Sequence, residues 1–365
     1  MKVNKIILRN FRNYIDITLT FTHSINIFIG ENGQGKTNIL EAIYYAAMGH
    51  SHRTNIDGEL IRWQQDSASI SIFFSRLTIE NSLLFKLNTN QKKEIINNSY
   101  TIKPKELIGL LNVVLFSPED LMLIKGMPNM RRRFLDIEIS QISPAYYQQL
   151  IKYNRIVSQR NTLLKKIREH KEKPEMLDAW DEQLAIVGSQ IVKKRQIVIK
   201  KLAMLANLMH RKITDNKENL TVVYHKHGID GTAIDNLAEE YSRKLVELRQ
   251  NDIWRGSTSV GPHRDDLILS VNGVNLRTFG SQGQQRTGVL ALKLAELEFI
   301  KSEAGEYPVL LLDDVMSELD ASRREHLITF IRDRIQTFIT ATEKKYFPDN
   351  EFGQFHQVVN GTIME

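Results

Sequence analysis

The chain has 365 residues, of which 42% are hydrophobic and 25% are charged, and this composition excludes a disordered protein. It has no apolar run long enough for a transmembrane helix and no apolar secretory segment near its start. The absence of cysteine excludes disulfides, thiolate zinc sites and cysteine nucleophiles. We therefore expect a cytoplasmic protein of one large or a few modest domains, with no membrane partner.

The net charge of +6 is unevenly distributed along the chain. Residues 151–215 carry 15 Lys and Arg against 7 Asp and Glu, whereas the rest of the chain carries 34 against 36. Such a bias is compatible with a polyanion partner and equally with a solvated helix surface. Charge alone leaves both interpretations open.

The N-terminal part of the chain predicts strands followed by a helix. Alternating or β-branched apolar residues predict strands over residues 3–9, 15–21, 24–29, 68–88 and 95–102. After the third of these strands, apolar residues recur with a helical period as far as Met48. This part of the chain therefore predicts a mixed α/β fold.

The middle of the chain predicts a helical hairpin. Apolar residues recur at alternating steps of three and four over 146–167 and again over 177–209, with Arg160 and Arg195 at two of the repeat positions. A polar break containing Pro174 separates the two stretches. The pattern predicts two antiparallel helices of about 25 and 35 residues. A helical subdomain within a globular core is the alternative.

After residue 219 the pattern becomes mixed again. Asn272-Gly273 between two short apolar runs is a strong hairpin signal. Further along, the pattern predicts a helix over 287–301, a buried strand over 308–313, a helix over 322–334 and a strand over 336–340. The order is therefore α/β, helical insertion, α/β.

A glycine-rich loop follows the strand that ends at Ile29. Its residues match the pattern G-x-x-x-x-G-K-[ST] at the start of a helix. Backbone N–H groups of such a loop hold phosphates, its lysine reaches the β- and γ-phosphates, and its final hydroxyl is a Mg²⁺ ligand. We therefore predict that the chain binds a nucleoside triphosphate together with Mg²⁺. The loop consists of Gly30, Glu31, Asn32, Gly33, Gln34, Gly35, Lys36 and Thr37.

An apolar strand ending in two carboxylates provides the second half of the predicted site. Asp313 and Asp314 follow Val309–Leu312, at the strand end where ligands collect in open α/β sheets. We expect Asp313 to hold Mg²⁺ through a water molecule, and Asp314 to position or deprotonate the attacking water. Together with Lys36 these two are the predicted catalytic residues.

A third segment, Ser281–Arg286, precedes the helix predicted from residue 287. Ser281 and Gln284 have the spacing of a capping box, which is a purely structural interpretation. A second phosphate-binding helix N-terminus is the functional interpretation. Spacing alone leaves both open.

In combination, these segments resemble the phosphate loop, signature, Walker B and D-loop motifs of ABC-type ATPases. Ser317–Asp320 resembles the D-loop, and more than 240 residues separate the phosphate loop from the signature, as in the SMC-like branch. The likeness extends to the RecF family of bacterial DNA replication and repair proteins. The segments that carry it are 10–14, 116–120, 125–136, 261–266 and 311–320.

This resemblance implies an α/β fold: an ABC-type P-loop ATPase head with an inserted helical arm, a short antiparallel coiled coil. The expected domains are residues 1–140 as the N-terminal part of the head, 141–250 as the arm and 251–365 as the C-terminal part of the head. This order is similar to that of SMC-like proteins.

The resemblance also implies a function. Two copies would sandwich two ATP molecules, with Ser281, Gly283 and Gln284 of one copy contacting phosphate held by the other. Arg12 and Asn13 would reach the nucleotide from the first strand turn. The homodimer would clamp DNA at junctions of single and double strands and act with RecR and RecO. It would thereby help recombinase loading, feed the SOS response and associate with the nucleoid.

Two positions depart from the general ABC pattern. Asp314 stands where many such ATPases have Glu, and its shorter side chain predicts slow hydrolysis. The resemblance further implies that this hydrolysis depends on DNA. The last strand lacks the switch histidine common in transporters, which makes Thr342 the candidate for sensing the γ-phosphate. Glu119 lies near the expected Q-loop position and is a candidate for the metal region.

Clusters of basic residues are the candidates for DNA contact. Contacts of this kind position a duplex through its phosphates without reading sequence, and no aromatic platform for single strands is evident. The candidates are Arg53, Arg131 to Arg133, Lys193 to Arg195, and Lys200 with Lys201.

Three other functions fit parts of the pattern. A structural SMC-like DNA tether would need a longer coiled coil than this arm. An ATPase that energises a membrane partner fits poorly with the internal helical insertion. A P-loop kinase would not need the helix start at Ser281.

Overall fold

The computed structural model describes residues 1–229, 231, 233, 236–348 and 352–364. These residues form two compact units: the first comprises Met1–Asp120 and Glu296–Glu365, and the second Leu121–Ala295. Among the described helices, none combines the length and the apolar character needed to cross a membrane. The division into head and arm segments at residues 140 and 250 stays a prediction.

The described part of the chain contains both strands and helices. The strands are β1 (Lys2–Phe11), β2 (Tyr14–Thr20), β3 (Ile25–Ile29), β4 (Ser67–Arg76), β5 (Ile79–Asn88), β6 (Glu94–Asn97), β7 (Tyr100–Thr101), β8 (Val113–Phe116), β9 (Leu220–His225), β10 (Asp266–Val271), β11 (Val274–Asn275), β12 (Val309–Asp313), β13 (Thr337–Ala341), β14 (Gln354–Val359) and β15 (Thr362–Met364). The helices are α1 (Lys36–Met48), α2 (Pro104–Leu107), α3 (Met122–Lys125), α4 (Pro128–Ile142), α5 (Pro144–Arg168), α6 (Asp178–Ile213), α7 (Leu237–Glu247), α8 (Arg249–Arg255), α9 (Leu276–Phe279), α10 (Gln282–Ala304), α11 (Val315–Glu318) and α12 (Ala321–Ile331).

The first unit contains an antiparallel sheet with the strand order β2-β1-β4-β5-β6-β7. Buried and more exposed residues alternate along β4, as the sequence predicts. On β4, Ala68, Ile70, Ile72 and Phe74 are buried while the residues between them are more exposed. Successive side chains of a strand point to opposite faces, so one face of this sheet contributes to the core.

The second sheet of the first unit is mostly parallel, with the order β15-β14-β3-β13-β12-β8. All residues of β3 and β13 are buried, as expected for parallel strands covered on both faces. The carboxyl ends of β3, β12 and β13 lie on the same side of this sheet, because the three strands run in the same direction. The glycine-rich loop follows β3 on that side, and the two aspartates lie there at the end of β12.

The predicted helical hairpin is confirmed by two helices of the second unit. Helix α5 has 25 residues and α6 has 36, and the connection includes a 3-10 turn, Pro174–Leu177. Within the same unit, α6 also packs against α7 and β9. The hairpin is therefore integrated into a larger core of the second unit.

Two arginines at repeat positions of the hairpin form buried ion pairs. Arg160 is fully buried and contacts Asp181 at 2.6 Å and Asp252 at 2.7 Å. Arg195 is 2% exposed and contacts Asp136 at 2.8 Å. A buried cation needs such partners because its desolvation is costly. The two arginines thus tie the hairpin to the rest of the unit.

The predicted turn at Asn272-Gly273 is confirmed. It joins β10 to β11 in the sheet β11-β10-β9 of the second unit. Asn272 has φ 49° and Gly273 has φ 82°. Positive φ at both central residues is what a tight two-residue hairpin requires, and Asn-Gly adopts it at little cost.

Candidate active site

The glycine-rich loop lies between β3 and α1, where the sequence predicts a phosphate loop. Gly33 and Gly35 have φ of 82° and 114°, which is backbone that side chains with a Cβ rarely adopt. A Cβ on Gly35 would lie 2.8 Å from Oδ1 of Asn13, and a Cβ on Gly30 would collide with the carbonyl of Val358. Neighbouring chain segments therefore enclose the loop closely and require glycine there.

Lys36 is buried within this loop. Its Nζ donates to the carbonyl oxygens of Gly30, at 2.6 Å, and Glu31, at 2.8 Å. Burial lowers the pKa of Lys36, while the charges of Asp314 and Asp313 oppose that shift. The ammonium group is thus held at the centre of the loop, close to both aspartates.

One carboxylate oxygen joins the phosphate loop to the strand end. Oδ1 of Asp313 accepts hydrogen bonds from the hydroxyl of Thr37, at 2.8 Å, and from that of Thr340, at 2.7 Å. Thr340 lies opposite Asp313 in the parallel pairing of β12 with β13. The structure thereby brings together the two residues predicted to bind Mg²⁺, and adds Thr340, which the sequence analysis missed.

Asp314 has an unusual backbone and an unpaired carboxylate oxygen. Its φ is 53°, and its backbone N–H donates to Oγ1 of Thr340 at 2.9 Å. Its Oδ1 is buried and has no hydrogen-bond partner among the described residues. Burial, followed by the negative charge of Asp313, raises the pKa of Asp314, although Lys36 opposes the shift. Such a carboxylate is suited to accept a proton or a hydrogen bond from water.

Thr342 and Glu119, the other two candidates in this region, lie beyond strand ends of the same sheet. Thr342 follows β13 and is half-buried. Glu119 follows β8 and is exposed, and its carboxylate accepts a bond of 3.4 Å from the hydroxyl of Ser117. Their roles stay predictions. The β13 residue whose hydroxyl donates to Asp313 is Thr340.

Asn13 contacts the phosphate loop directly. Its Nδ2 donates to the carbonyl of Gln34 at 2.9 Å, and its Oδ1 accepts from Asn38 at 2.8 Å. The hydroxyl of Tyr14 donates to the carbonyl of Gly35 at 3.0 Å. The turn between β1 and β2 therefore supports the loop from one side, and Tyr14 is a contact that the sequence analysis did not identify.

A second turn supports the same loop. The backbone N–H of Asn360 donates to Oε1 of Gln34 at 2.6 Å, and that of Gly361 donates to the carbonyl of Gln34 at 3.1 Å. Both donors lie in the turn between β14 and β15. No sequence pattern identifies these contacts, because they depend on which strands become neighbours.

Arg12 contacts α1 through a buried glutamate. Its guanidinium donates to both carboxylate oxygens of Glu41, at 2.7 and 2.9 Å. Glu41 is fully buried and also accepts bonds from Ser51 and Arg53. Burial alone would raise the pKa of Glu41, but hydrogen bonds from Arg12 and Ser51 and the two arginine charges bring it below its ordinary value. Arg53, a predicted DNA contact, therefore lies against the helix that follows the phosphate loop.

The signature segment lies in the second unit, and its predicted capping box is confirmed. The backbone N–H of Ser281 donates to Oε1 of Gln284 at 3.1 Å, and that of Gln284 donates to Oγ of Ser281 at 3.2 Å. Ser281 is exposed at the start of α10. The structural interpretation is therefore correct, and it leaves the functional one open, since a capped helix start can also bind phosphate.

The predicted DNA contacts on the second unit divide into buried and accessible residues. Arg131 is buried against Asp266 at 2.7 Å, and Arg195 is buried against Asp136. For these two the expectation of DNA contact is wrong, because both are committed to internal ion pairs. Accessible candidates remain. Arg133 and Lys200 are exposed, while Arg132, Lys193, Lys194 and Lys201 are half-buried.

Comparisons with known proteins agree with this geometry. The model of the RecF/RecN/SMC N-terminal domain family matches residues 2–361. Over 371 aligned residues the chain is 47% identical to the DNA replication and repair protein RecF of Halothermothrix orenii (strain H 168), covering 100% of this chain and 98% of that protein.

Two solved structures are similar over nearly the whole chain. A structure of the recombination mediator protein RecF with ATP, in the RecFOR pathway, is 36% identical with a TM-score of 0.92, covering 99% of this chain and 96% of that one. An SMC head bound to the C-terminal winged-helix domain of ScpA is 14% identical with a TM-score of 0.59, covering 100% and 96%. The second likeness shows an ABC-type head fold alone.

Proposed function

The chain belongs to the RecF family of DNA replication and repair proteins, and from that membership we propose that ATP closes two copies of it into a dimer that holds DNA. Hydrolysis would then release the dimer, so that ATP acts as a switch. Such coupling needs only that the dimer bind ATP more tightly than the monomer does. The alternatives of a structural tether and of an ATPase that energises another partner lack a specific observation in their favour.

The residues of the first unit fit a Mg²⁺-bound triphosphate. Thr37 Oγ1 and Asp313 Oδ1 lie 2.8 Å apart and offer the hard oxygen ligands that Mg²⁺ prefers. When bound, Mg²⁺ would neutralise charge on the phosphates. Lys36 would exchange its two carbonyl partners for β- and γ-phosphate oxygens, and the N-terminus of α1 would add positive potential.

Asp314 is the residue that would orient the attacking water. Its buried Oδ1 lacks a partner among the described residues, and its raised pKa favours acceptance of a proton. Thr340 fixes the backbone of Asp314 and the carboxylate of Asp313 at once. The short aspartate side chain supports slow hydrolysis, and we propose that bound DNA accelerates it.

Ser281 supports closure of two copies. It is exposed at the N-terminus of α10, and its Oγ accepts the N–H of Gln284, which leaves its own hydrogen available to donate. A γ-phosphate held by the phosphate loop of a second copy would accept that hydrogen. Gly283, half-buried in the first turn of the helix, would lie beside the same phosphate.

The DNA-binding part of the proposal involves the accessible cations of the second unit. Lys200 is exposed, while Lys193 and Lys194 are half-buried on the same helix. Contacts of these residues with phosphates would bind duplex DNA without reading its sequence.

We further propose that the dimer acts at junctions of single- and double-stranded DNA together with RecR and RecO, in recombinase loading and in the SOS response.

The hydrogen bond between Thr37 and Asp313 is the observation that carries the nucleotide part of this proposal. The test of the whole is the molecular mass by light scattering without nucleotide, with ATP, and with ATP plus a short duplex. We expect the wild type to form a dimer only with ATP and to retain the duplex, and we expect Lys36→Arg and Ser281→Arg to stay monomeric.

Lys105→Arg serves as the control, because Lys105 is an exposed residue outside these motifs. A wild type that remains monomeric with ATP, or that forms a dimer but ignores duplex at low salt, would contradict the proposal.

A further inference from the structure

Glu218 joins the signature segment to the end of the long helix α6. Its Oε1 accepts a hydrogen bond of 2.8 Å from Nε2 of Gln284, and its Oε2 lies 3.2 Å from Nε2 of His210. All three residues belong to the second unit. The sequence gives no indication of this contact, since Glu218 lies in a polar turn between α6 and β9.

The chemistry of the partners fixes the orientation of the Gln284 amide. A carboxylate only accepts hydrogen bonds and a backbone N–H only donates them. Glu218 therefore selects the amide nitrogen of Gln284, and the backbone N–H of Ser281 selects its amide oxygen. Both partners require the same orientation, so the side chain that caps Ser281 is held at both of its polar atoms.

The second carboxylate oxygen of Glu218 contacts α6 through His210. His210 is fully buried, and its Nδ1 has no hydrogen-bond partner among the described residues. Because the Glu218 carboxylate only accepts hydrogen bonds, Nε2 of His210 carries the hydrogen that it donates to Glu218. Asn207 of the same helix accepts the backbone N–H of Leu220 at 3.0 Å. The turn that carries Glu218 is thus attached to α6 at two places.

We infer that Glu218 is a positioning residue for the signature segment: through Gln284 it holds Ser281 in the conformation that meets the phosphate of a second copy. This inference rests on the proposed ATP-driven dimer. A displacement of the C-terminal end of α6 would therefore also move Ser281, through Glu218 and Gln284. The signature segment is then coupled to the helix that carries Lys193 and Lys200.

The first test compares Glu218→Ala with the conservative change Glu218→Gln. Alanine removes the acceptor for Gln284, whereas the carbonyl oxygen of glutamine retains one. We expect the protein concentration for half-maximal dimer formation with ATP to rise about tenfold in Glu218→Ala and less than about threefold in Glu218→Gln. Glu182→Ala, at an exposed glutamate of the same helix hairpin, is the control and should match the wild type.

A positioning role also predicts that the monomer's affinity for ATP does not change. ATP affinity, measured below the concentration at which dimers form, should equal that of the wild type, because the phosphate loop lies in the other unit. The Gln284→Ala change should have a similar effect, and the double variant should be no worse than either single one. Unchanged dimer formation in Glu218→Ala, or full additivity with Gln284→Ala, overturns the inference.

Mixing experiments separate this inference from the proposed function. A mixture of Glu218→Ala and Lys36→Met contains one composite site with an intact loop and an intact signature, so ATP-driven association should return. Ser281→Arg mixed with Lys36→Met should behave in the same way. If that second mixture fails, the proposed dimer is wrong; if it succeeds while the Glu218→Ala mixture fails, Glu218 does not act through the signature.

Discussion

Thr37 and Asp313, 276 positions apart in the chain, are joined by a hydrogen bond of 2.8 Å. One lies at the start of α1 and the other at the end of β12, so the parallel sheet decides their distance. We propose that this hydroxyl and this carboxylate oxygen are a preorganised pair of oxygen atoms that hold Mg²⁺. The site therefore depends on the relative positions of β3, β13 and β12.

Thr340→Val should impair hydrolysis more than it impairs ATP binding. The change removes one donor to Asp313 and leaves the backbone N–H of Asp314 without its acceptor. We expect hydrolysis to fall about tenfold and the free energy of unfolding to fall by about 1 to 2 kcal/mol. Single-turnover hydrolysis and urea unfolding measure the two effects. Thr337→Val removes, on the same strand, a hydroxyl that donates to the carbonyl of Ile335 at 3.1 Å, and it should lower stability alone.

Gly35→Ala should abolish ATP binding. Alanine would meet the side chain of Asn13, and φ of 114° is strained for any residue with a Cβ. Gly305→Ala is a matched control, because Gly305 has φ 83° and open space around it. The control should cost about 1 kcal/mol of stability and leave ATP affinity unchanged. Nucleotide titration contradicts this account if the two variants bind ATP equally well.

Asp314→Asn should stabilise the protein while it removes hydrolysis. Burial raises the pKa of Asp314 in the folded state, so folding favours its protonated form. The destabilising contribution of the ionised Asp314 should therefore diminish as pH falls through its raised folded-state pKa towards the ordinary pKa of aspartate. The advantage of the Asn variant should be largest at neutral pH and vanish in acid.

Urea unfolding across this pH range tests the sign, with the exposed Asp66→Asn change as the reference. A variant that is less stable than the wild type at neutral pH would be inconsistent with a half-buried carboxylate whose buried Oδ1 lacks a partner among the described residues.

Arg12→Ala should destabilise the first unit through Glu41. The change removes a bidentate partner from a fully buried carboxylate, which Ser51 and Arg53 compensate only in part. We expect a loss of about 2 kcal/mol in the free energy of unfolding. The double variant with Glu41→Gln should recover part of that loss, because no charge remains buried. Full additivity of the two changes in unfolding experiments would show that they do not interact.

Lys193 and Lys200 should contribute to DNA affinity. If each contacts a phosphate, the double change to Ala should reduce the slope of log affinity against log salt by about 2. Arg195→Ala should instead lower the unfolding free energy, since it removes the buried cation that pairs with Asp136. Titration of a labelled duplex at several salt concentrations tests the lysines, with Lys105→Ala as the control. An unchanged slope excludes them from the interface.

The sequence predicts those parts of the site whose signal is local. The phosphate loop, the strand before Asp313 and the capping box at Ser281 each depend on residues within one short segment. Thr340 depends on strand register, which becomes evident only when β12 and β13 pair. Arg195 shows the same limit, since a lysine- and arginine-rich stretch indicates an exposed surface until Asp136, from another helix, supplies a partner.

The strand pairing that brings the β14–β15 turn to Gln34 has a consequence for the folding of the chain during biosynthesis. Strand β3 pairs with β13 on one side and with β14 on the other, and both neighbours lie more than 300 residues along the sequence. A growing chain that has released β3 must therefore keep two open strand edges until nearly the whole polypeptide has been synthesised. Edges of this kind invite mispairing, and sequence-distant contacts form slowly. The nucleotide site is thus among the last features to be completed during biosynthesis.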